Sequence, residues 1–315
     1  MTAADLVAHV QADAVAELPD GVSGIPRPVV DGARRALEGL RSMGPADLVH
    51  GLDVDLPWRT GAPCVATVHD MSVFDVPWAF GGLRSGGERM LLRRGLHKAD
   101  AIVAVSGFSA ERVKAITGRD ATVTHLAPAP EFVPARPEEI AAVRARHALP
   151  PTFVLQVGTI EPRKDVHALA AACRAADVPL VLAGGIGDGA QVPAGAHHLG
   201  YADRDELPAL YGAATVVAYV SAYEGFGLPP VEAMACGAVV LASRVGALPE
   251  VVGDGAVLVP HGDATGLTDA LRRLLMDGDE RRELAARGLV AARALSWERT
   301  ARLTNDVYRS LGIAS

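Results

Sequence analysis

The chain has 315 residues, half of them apolar and 21% charged, and a formal net charge of −7. That length exceeds what a single hydrophobic core usually supports, so two domains are expected. The acidic balance, with no lysine-rich tail and no basic face interleaved with aromatics, argues against nucleic acid as a partner.

Taken in chain order, residues 1–11 include Asp5 and His9 and lack the basic and apolar regions of a signal peptide. No apolar run reaches the length of a transmembrane helix, so the expected location is the cytoplasm, at most at the inner face of a membrane. Short apolar runs then alternate with helical patterns, which is the signature of βαβ units and a parallel sheet. Strands are expected at Asp47–His50, Cys64–His69, Ala101–Ser106 and Ala121–Leu126. Helices are expected at Gly86–Ala99 and Ser109–Ile116, the second with Ser109 as N-cap and Glu111 in its first turn. The proline-rich stretch Ala127–Pro151 reads as an interdomain connection carrying one helix, Glu138–His147.

The second half repeats the rhythm more cleanly. Strands are expected at Phe153–Val157, Pro179–Ala183, His197–Leu199, Thr215–Val220 and Ala238–Ala242. Helices are expected at Val166–Ala176, Asp205–Ala213, Val231–Ala235 and Ala264–Met276, with Arg281–Ala294 and Trp297–Leu311 closing the chain. Cys64, Cys173 and Cys236 are widely spaced and form neither a zinc set nor a paired framework, which fits a reducing compartment. The fold class is α/β: two Rossmann-like doubly wound domains facing a cleft. The domains are expected at 1–130, on the acceptor side and short, and at 151–295, with a C-terminal helix over 296–315 packing back toward the first.

Most of the chemistry sits in Ser221–Gly237, SAYEGFGLPPVEAMACG. An apolar strand ends at Val220, and the loop after it carries Glu224-Gly225-Phe226-Gly227. A helix begins near Pro229–Pro230 and is expected to hold Glu232 in its first turn. Ligands of open α/β sheets bind outside the carboxyl ends of the strands, where this loop lies. Glycines let backbone N–H groups approach a ligand, and a helix N-terminus favours a diphosphate. Two carboxylates eight positions apart can hydrogen-bond sugar hydroxyls. Taken alone, Glu232 reads more readily as a helix-dipole partner and Glu224 as a solvated loop residue; the combination with Gly-Phe-Gly and the double proline argues for a site. Arg163–Lys164 follows a strand and Gly158. A rigid cationic fork beside a point charge suits a diphosphate, although such a dipeptide is more often a solvated pair.

These residues resemble the glutamate–seven-residues–glutamate motif of the family-4 retaining glycosyltransferases of the GT-B fold, in their bacterial mannosyltransferase-like versions. Val157–Lys164 (VGTIEPRK), His198–Gly212, Leu248–Gly255 (LPEVVGDG) and Ser296–Tyr308 resemble donor-domain segments of that family. Asp47–Gly51, Thr67–Asp70 and Val105–Ser109 resemble acceptor-domain landmarks. The resemblance implies that Glu232 holds the ribose hydroxyls and Glu224 contacts the transferred sugar, lined by Gly225, Phe226 and Gly227. It implies that Arg163 and Lys164 neutralise the diphosphate, that Gly158 lets backbone approach it, and that His69 sits near the reacting carbon. For His69 a structural role beside Asp70 has about even odds on the residues alone.

The implied reaction moves a hexose from a nucleotide-sugar, preferably mannose from GDP-mannose, to a glycan, lipid-linked or small-molecule acceptor. The nucleotide-sugar is a co-substrate, and neither a cofactor nor a metal is expected. A UDP-sugar-dependent transferase and a non-catalytic or acceptor-impaired nucleotide-sugar-binding scaffold are the alternatives. Asp53-Val54-Asp55 has the form of a metal–nucleotide motif but reads as loop. Gly185-x-Gly187-x-x-Ala190 matches a dinucleotide fingerprint in letters, yet Pro193 and Gly195 oppose the helix it requires. Arg84, Arg89, Arg93, Arg94 and Lys98 on one helix suit anionic lipid and, twice as readily, a solvated face. The family opens its acceptor domain with a strand and a glycine-rich loop, for which Gly21–Arg27 after Ala3–Val15 is the sole candidate. A shortened sheet leaves an exposed edge or apolar face, most simply covered by a second copy of the chain.

Overall fold

The computed structural model describes residues 6–28, 44–54, 56–80, 82–187 and 189–313. The chain opens with β1 (Leu6–Gln11), a 3-10 turn at Ala12–Glu17 and β2 (Val22–Arg27). The two strands pair in parallel from Leu6 opposite Val22 to Gln11 opposite Arg27 and stand apart from the other sheets. Gly21–Arg27 is therefore mostly strand, and β1 leads into a glycine-free 3-10 turn rather than a glycine-rich loop. Then come β3 (Val49–Gly51), β4 (Cys64–Val68), α1 (Ser72–Asp75), α2 (Gly82–Lys98), β5 (Ala101–Ala104), α3 (Gly107–Thr117) and β6 (Thr122–Val123). Among the described residues β3 to β6 form a parallel sheet in simple sequential order. Ser106, not Ser109, caps α3: its hydroxyl accepts the Ser109 N–H at 3.0 Å. An N-cap serves the amide three residues on, and the expected cap is that amide.

After the connecting helix α4 (Pro137–Arg146) the second sheet is assembled from β7 (Val154–Val157), β8 (Leu180–Ala183), β9 (His197–Gly200), β10 (Val216–Tyr219), β11 (Val240–Ser243) and β12 (Ala256–Val259). Its order is β12-β11-β10-β7-β8-β9, all parallel, so the winding reverses between β7 and β10. Helices α5 (Val166–Ala175), α6 (Leu207–Ala213), α7 (Leu228–Ala235), α8 (Leu248–Val252), α9 (Ala264–Met276) and α10 (Gly278–Arg293) accompany it. Leu155, Val181 and Val217 pack on one side of the sheet, while Val154, Leu180 and Val216 pack on the other. A parallel sheet covered on both faces needs apolar residues at every position, and this is why these strands read as continuous apolar runs.

The last helix, α11 (Trp297–Ser310), reaches the first sheet, where Val307 and Tyr308 pack with Val65 and Val103. The Tyr308 hydroxyl lies 2.6 Å from His50 Nδ1, and His50 Nε2 lies 2.8 Å from the Thr67 hydroxyl. Burial pushes the His50 imidazole down to about 4, so it sits there neutral.

On α2 the basic run is spoken for by aromatics: the Arg89 and Arg93 guanidiniums lie over Phe74, and that of Arg94 over Trp58. The Arg84 side chain lies outside the described ones, as does residue 55 of the Asp-x-Asp pair. The described part of Gly185–Ala190 contains a single bridge, Ile186 to Ile160, and no helix. No described helix is long and apolar enough to cross a membrane.

Candidate active site

Two loops leave the carboxyl ends of β7 and β10, the neighbouring strands at which the winding reverses. Ligands bind at such a switch point because the loops diverge to opposite faces and leave a crevice between them. The first loop begins at Gly158 with φ +117°, where a Cβ would come within 2.5 Å of Lys164 Nζ. Glycine is favoured there by the backbone conformation, and any side chain would also have to displace the lysine tip. The chain then makes a 3-10 turn, Pro162–Lys164, and Asp165 caps α5.

Lys164 and Arg163 are not a surface pair. Lys164 is 8% exposed, and among the described residues its ammonium has no hydrogen bond or ion pair, only the Tyr219 ring at 5.7 Å. Burial holds its pKa below the ordinary lysine value, against the pull of Glu224 and Glu161. Arg163 is tied down: it donates to the Tyr223 carbonyl at 2.5 Å and to Glu161 at 2.6 Å, and lies 2.9 Å from Glu224 Oε1. Burial opposes its charge, but Glu224 and Glu161 outweigh that and raise its pKa.

The second loop is pinned at both ends. Ala222 N–H donates to the Arg163 carbonyl at 2.8 Å, and Ala247 N–H donates to the Glu224 carbonyl at 3.0 Å. Glu224 is buried, and its Oε1 has no hydrogen-bond partner beyond the charge of Arg163. Gly225 lies against the first half of the molecule, where a Cβ would meet the His69 carbonyl at 2.1 Å. Its own carbonyl accepts from Ser106 at 2.6 Å and from Ser109 at 3.1 Å, while Phe226 is turned into the core. Gly227, with φ +96°, ends the loop as the residue before α7.

Glu232 is the fifth residue of α7, in its second turn rather than its first, because the helix starts at Leu228. It is 7% exposed, and burial pushes its carboxyl up to about 7, with Arg204 pulling down and Glu131 pushing up. Near it lies the buried Tyr211 hydroxyl, whose pKa is raised first by burial and then by the Glu232 charge. Arg204 is itself held by Glu131 at 2.6 Å and lies over the Phe132 ring. A cavity of about 200 Å³ opens beside these groups, lined by Gly158 and Thr159, Gly184 and Gly185, and Tyr201 to Leu207 in part.

His69 follows β4 and is exposed, with Nε2 2.8 Å from the Leu52 carbonyl. A carbonyl only accepts, so Nε2 carries the proton. The structure thus brings Gly158 beside Lys164, Arg163 beside Glu224, and Gly225 against His69, while Phe226 is turned into the core; of the predicted residues Gly158 alone lines the cavity. Arg204, Ser106, Ser109 and Glu250 fall within segments singled out by resemblance (His198–Gly212, Val105–Ser109 and Leu248–Gly255), but sequence reasoning assigned them no role and no partner. Glu250 accepts from Gly107 N–H at 2.8 Å and lies 2.6 Å from His125 Nε2. These partners are so far apart in the chain that no spacing announces them.

Residues 139–289 match the model of glycosyl transferases group 1, and residues 7–130 match that of Glycosyltransferase Family 4. The chain is 33% identical over 284 residues to an O-antigen chain mannosyltransferase B of Escherichia coli, covering 84% of this chain and 74% of that protein. It is 30% identical over 287 residues to the serotype-specific mannosyltransferase WbdA of Escherichia coli, covering 82% of this chain but 34% of that protein. Among solved structures, a sucrose-phosphate synthase from Thermosynechococcus elongatus superposes with a TM-score of 0.73 at 27% identity, covering 85% of this chain and 74% of that one. A reversed parallel sheet with its glutamate loop at the switch point, a second parallel sheet across the crevice, and these matches over most of the length agree: the chain belongs to the family-4 glycosyltransferases of the GT-B fold and is a hexosyltransferase.

Proposed function

We propose that the chain transfers mannose from GDP-mannose to an acceptor hydroxyl with retention of configuration and without a metal ion. One observation carries this reading: Lys164, a buried ammonium with no hydrogen bond or close ion pair among the described residues, sits beside Gly158, with only the longer-range pull of Glu224 and Glu161 set against its burial. An unpaired buried cation is costly unless an anion arrives to meet it. A nucleoside diphosphate is such an anion, and its charge grows as the C1–O bond to the sugar breaks. Fixed cations aimed at that oxygen stabilise the transition state without reorganising. In the proposed step the acceptor oxygen bonds C1 on the face the diphosphate leaves, and the hydroxyl proton passes to the departing phosphate oxygen. Glu232 receives the ribose hydroxyls, Glu224 and the loop to Gly227 hold the hexose, and His69 presents Nδ1 to the reacting sugar. Arg163 acts chiefly by fixing Glu224. The mannose preference rests on the names of the two mannosyltransferase relatives. The acceptor class, a growing glycan, rests on the O-antigen relative.

Calorimetry with GDP-mannose and UDP-glucose, followed by transfer assays with and without EDTA, tests the reading. GDP-mannose is expected to bind more tightly, and turnover is expected to survive chelation. Tighter binding of UDP-glucose overturns the donor assignment. Loss of activity in EDTA, restored by manganese, overturns metal independence and directs attention to Asp53 and Asp55. Lys164→Met should melt no lower than the parent, since it removes a buried charge, while turnover falls by roughly 10²–10³, as for loss of one charge-stabilising donor.

A further inference from the structure

We propose that Glu250 and His125 form a positioning pair that fixes the Glu224–Gly227 loop against the acceptor half, an alignment on which turnover rather than donor affinity depends. The inference rests on reading that loop as the donor-sugar site. Glu250 comes from α8, in the half that carries the loop. Its two oxygens accept from the first two amides of α3 in the other half, Gly107 at 2.8 Å and Phe108 at 3.2 Å. The cap of α3 is already supplied from within by Ser106. The carboxylate therefore does not complete a lone helix; it couples two halves through amides that would otherwise face water.

His125 closes the link. Its Nε2 lies 2.6 Å from Glu250 Oε1, and its ring lies 6.3 Å from Phe226 of the loop. Its carbonyl accepts the Thr300 hydroxyl of α11. Burial works against the Glu250 charge, but His125 and the two amides outweigh it and keep the carboxyl below its ordinary range. The same four residues of chain, Ser106 to Ser109, send two amides to Glu250 and two hydroxyls to the Gly225 carbonyl. Gly107 packs so closely that a Cβ there would lie 3.2 Å from Glu250 Oε2. Loop and carboxylate are thus held by one short segment, and a shift at Glu250 moves the acceptor half relative to the loop.

The test uses the full chain with nitroxide labels at two exposed positions, Arg59→Cys in the first half and Asp269→Cys on α9; the native Cys64, Cys173 and Cys236 are buried. Pulsed electron resonance reads the distance between the halves, calorimetry with GDP and UDP reads nucleotide affinity, and transfer assays read kcat and KM. Glu250→Ala is expected to broaden the distance distribution and lower kcat at least tenfold, with Kd for the nucleotide within twofold. Glu250→Gln, which keeps shape and an acceptor oxygen, should recover part of both. His125→Ala breaks the link from the other side and should broaden the distribution likewise, so the test stands even where one variant fails to fold. A distribution and a kcat both unchanged in Glu250→Ala overturn the proposal. So does a nucleotide Kd that rises in step with the loss of kcat, which would make Glu250 a binding residue. The distance readout needs no turnover, so an error in the donor reading leaves it intact.

Discussion

Glu232 carries a conflict between stability and binding that its pKa makes measurable. Its carboxyl sits at about 7 in the folded chain against 4.5 ordinarily, with burial the first cause. A raised carboxyl favours the protonated fold, so its contribution is fully present below pH 4.5 and is lost as pH climbs through 7. Glu232→Gln keeps the shape without the charge. It should melt above the parent at pH 8, by up to about 3 kcal/mol of stability, with the difference vanishing near pH 4.5. Donor affinity should move the opposite way, because only the ionised carboxylate accepts both ribose hydroxyls well. Calorimetry is expected to show parent affinity rising between pH 6 and 8.5 and the Gln variant flat and weaker; a parent flat over that range removes Glu232 from the ribose. The identity of this glutamate was legible from its spacing after Glu224. Its depth was not, since a helix start read one or two residues late moved it from the second turn to the first.

Elements buried on both faces were the easiest to read, and edge elements were not. The strands β7, β8 and β10 are fully buried, mostly apolar runs between turn residues. By contrast β12 is no shorter than these but is only partly buried at its two middle positions and directly follows Gly253 and Gly255. Its place at the sheet edge follows only from pairing with β11. The loop between β10 and α7 shows how an element constrains one residue type. Gly225 has no room for a methyl because the His69 carbonyl, a backbone atom, would lie 2.1 Å away. Gly225→Ala should therefore cost about 1–3 kcal/mol in urea unfolding and most of the turnover. Gly185→Ala, at a glycine with open space, should stay within about 0.5 kcal/mol. Equal stability of the two variants would show that the loop yields freely.

Across the whole molecule, α11 ties the end of the chain to the first sheet through Tyr308 and His50. Tyr308→Phe leaves His50 Nδ1 buried without its partner and should cost about 1–3 kcal/mol. The neutral His50 adds a pH term: its depressed value of about 4 means that stability is lost as pH falls from 6.5 toward 4. Unfolding free energies of the parent and the variant at pH 5 and 7.5 check both. An unchanged midpoint in Tyr308→Phe would show that the helix is held by Val307 and its apolar neighbours alone.

The sequence by itself determined the α/β class, the family and the chemical character of the site. Runs of apolar residues report burial on both faces, and Glu-Gly-Phe-Gly with its following helix is a local feature. Tertiary structure alone decided which loops meet. The strand order brings the ends of β7 and β10 together, and so sets Lys164 and Arg163 beside Glu224. It also decided that Lys164 is buried and Arg163 half-buried, and that Glu250 pairs with His125 across 125 positions of chain. Hydrogen bonds and charges act over a few ångströms of space, whatever the distance along the chain, whereas pattern and spacing speak only of neighbours along it.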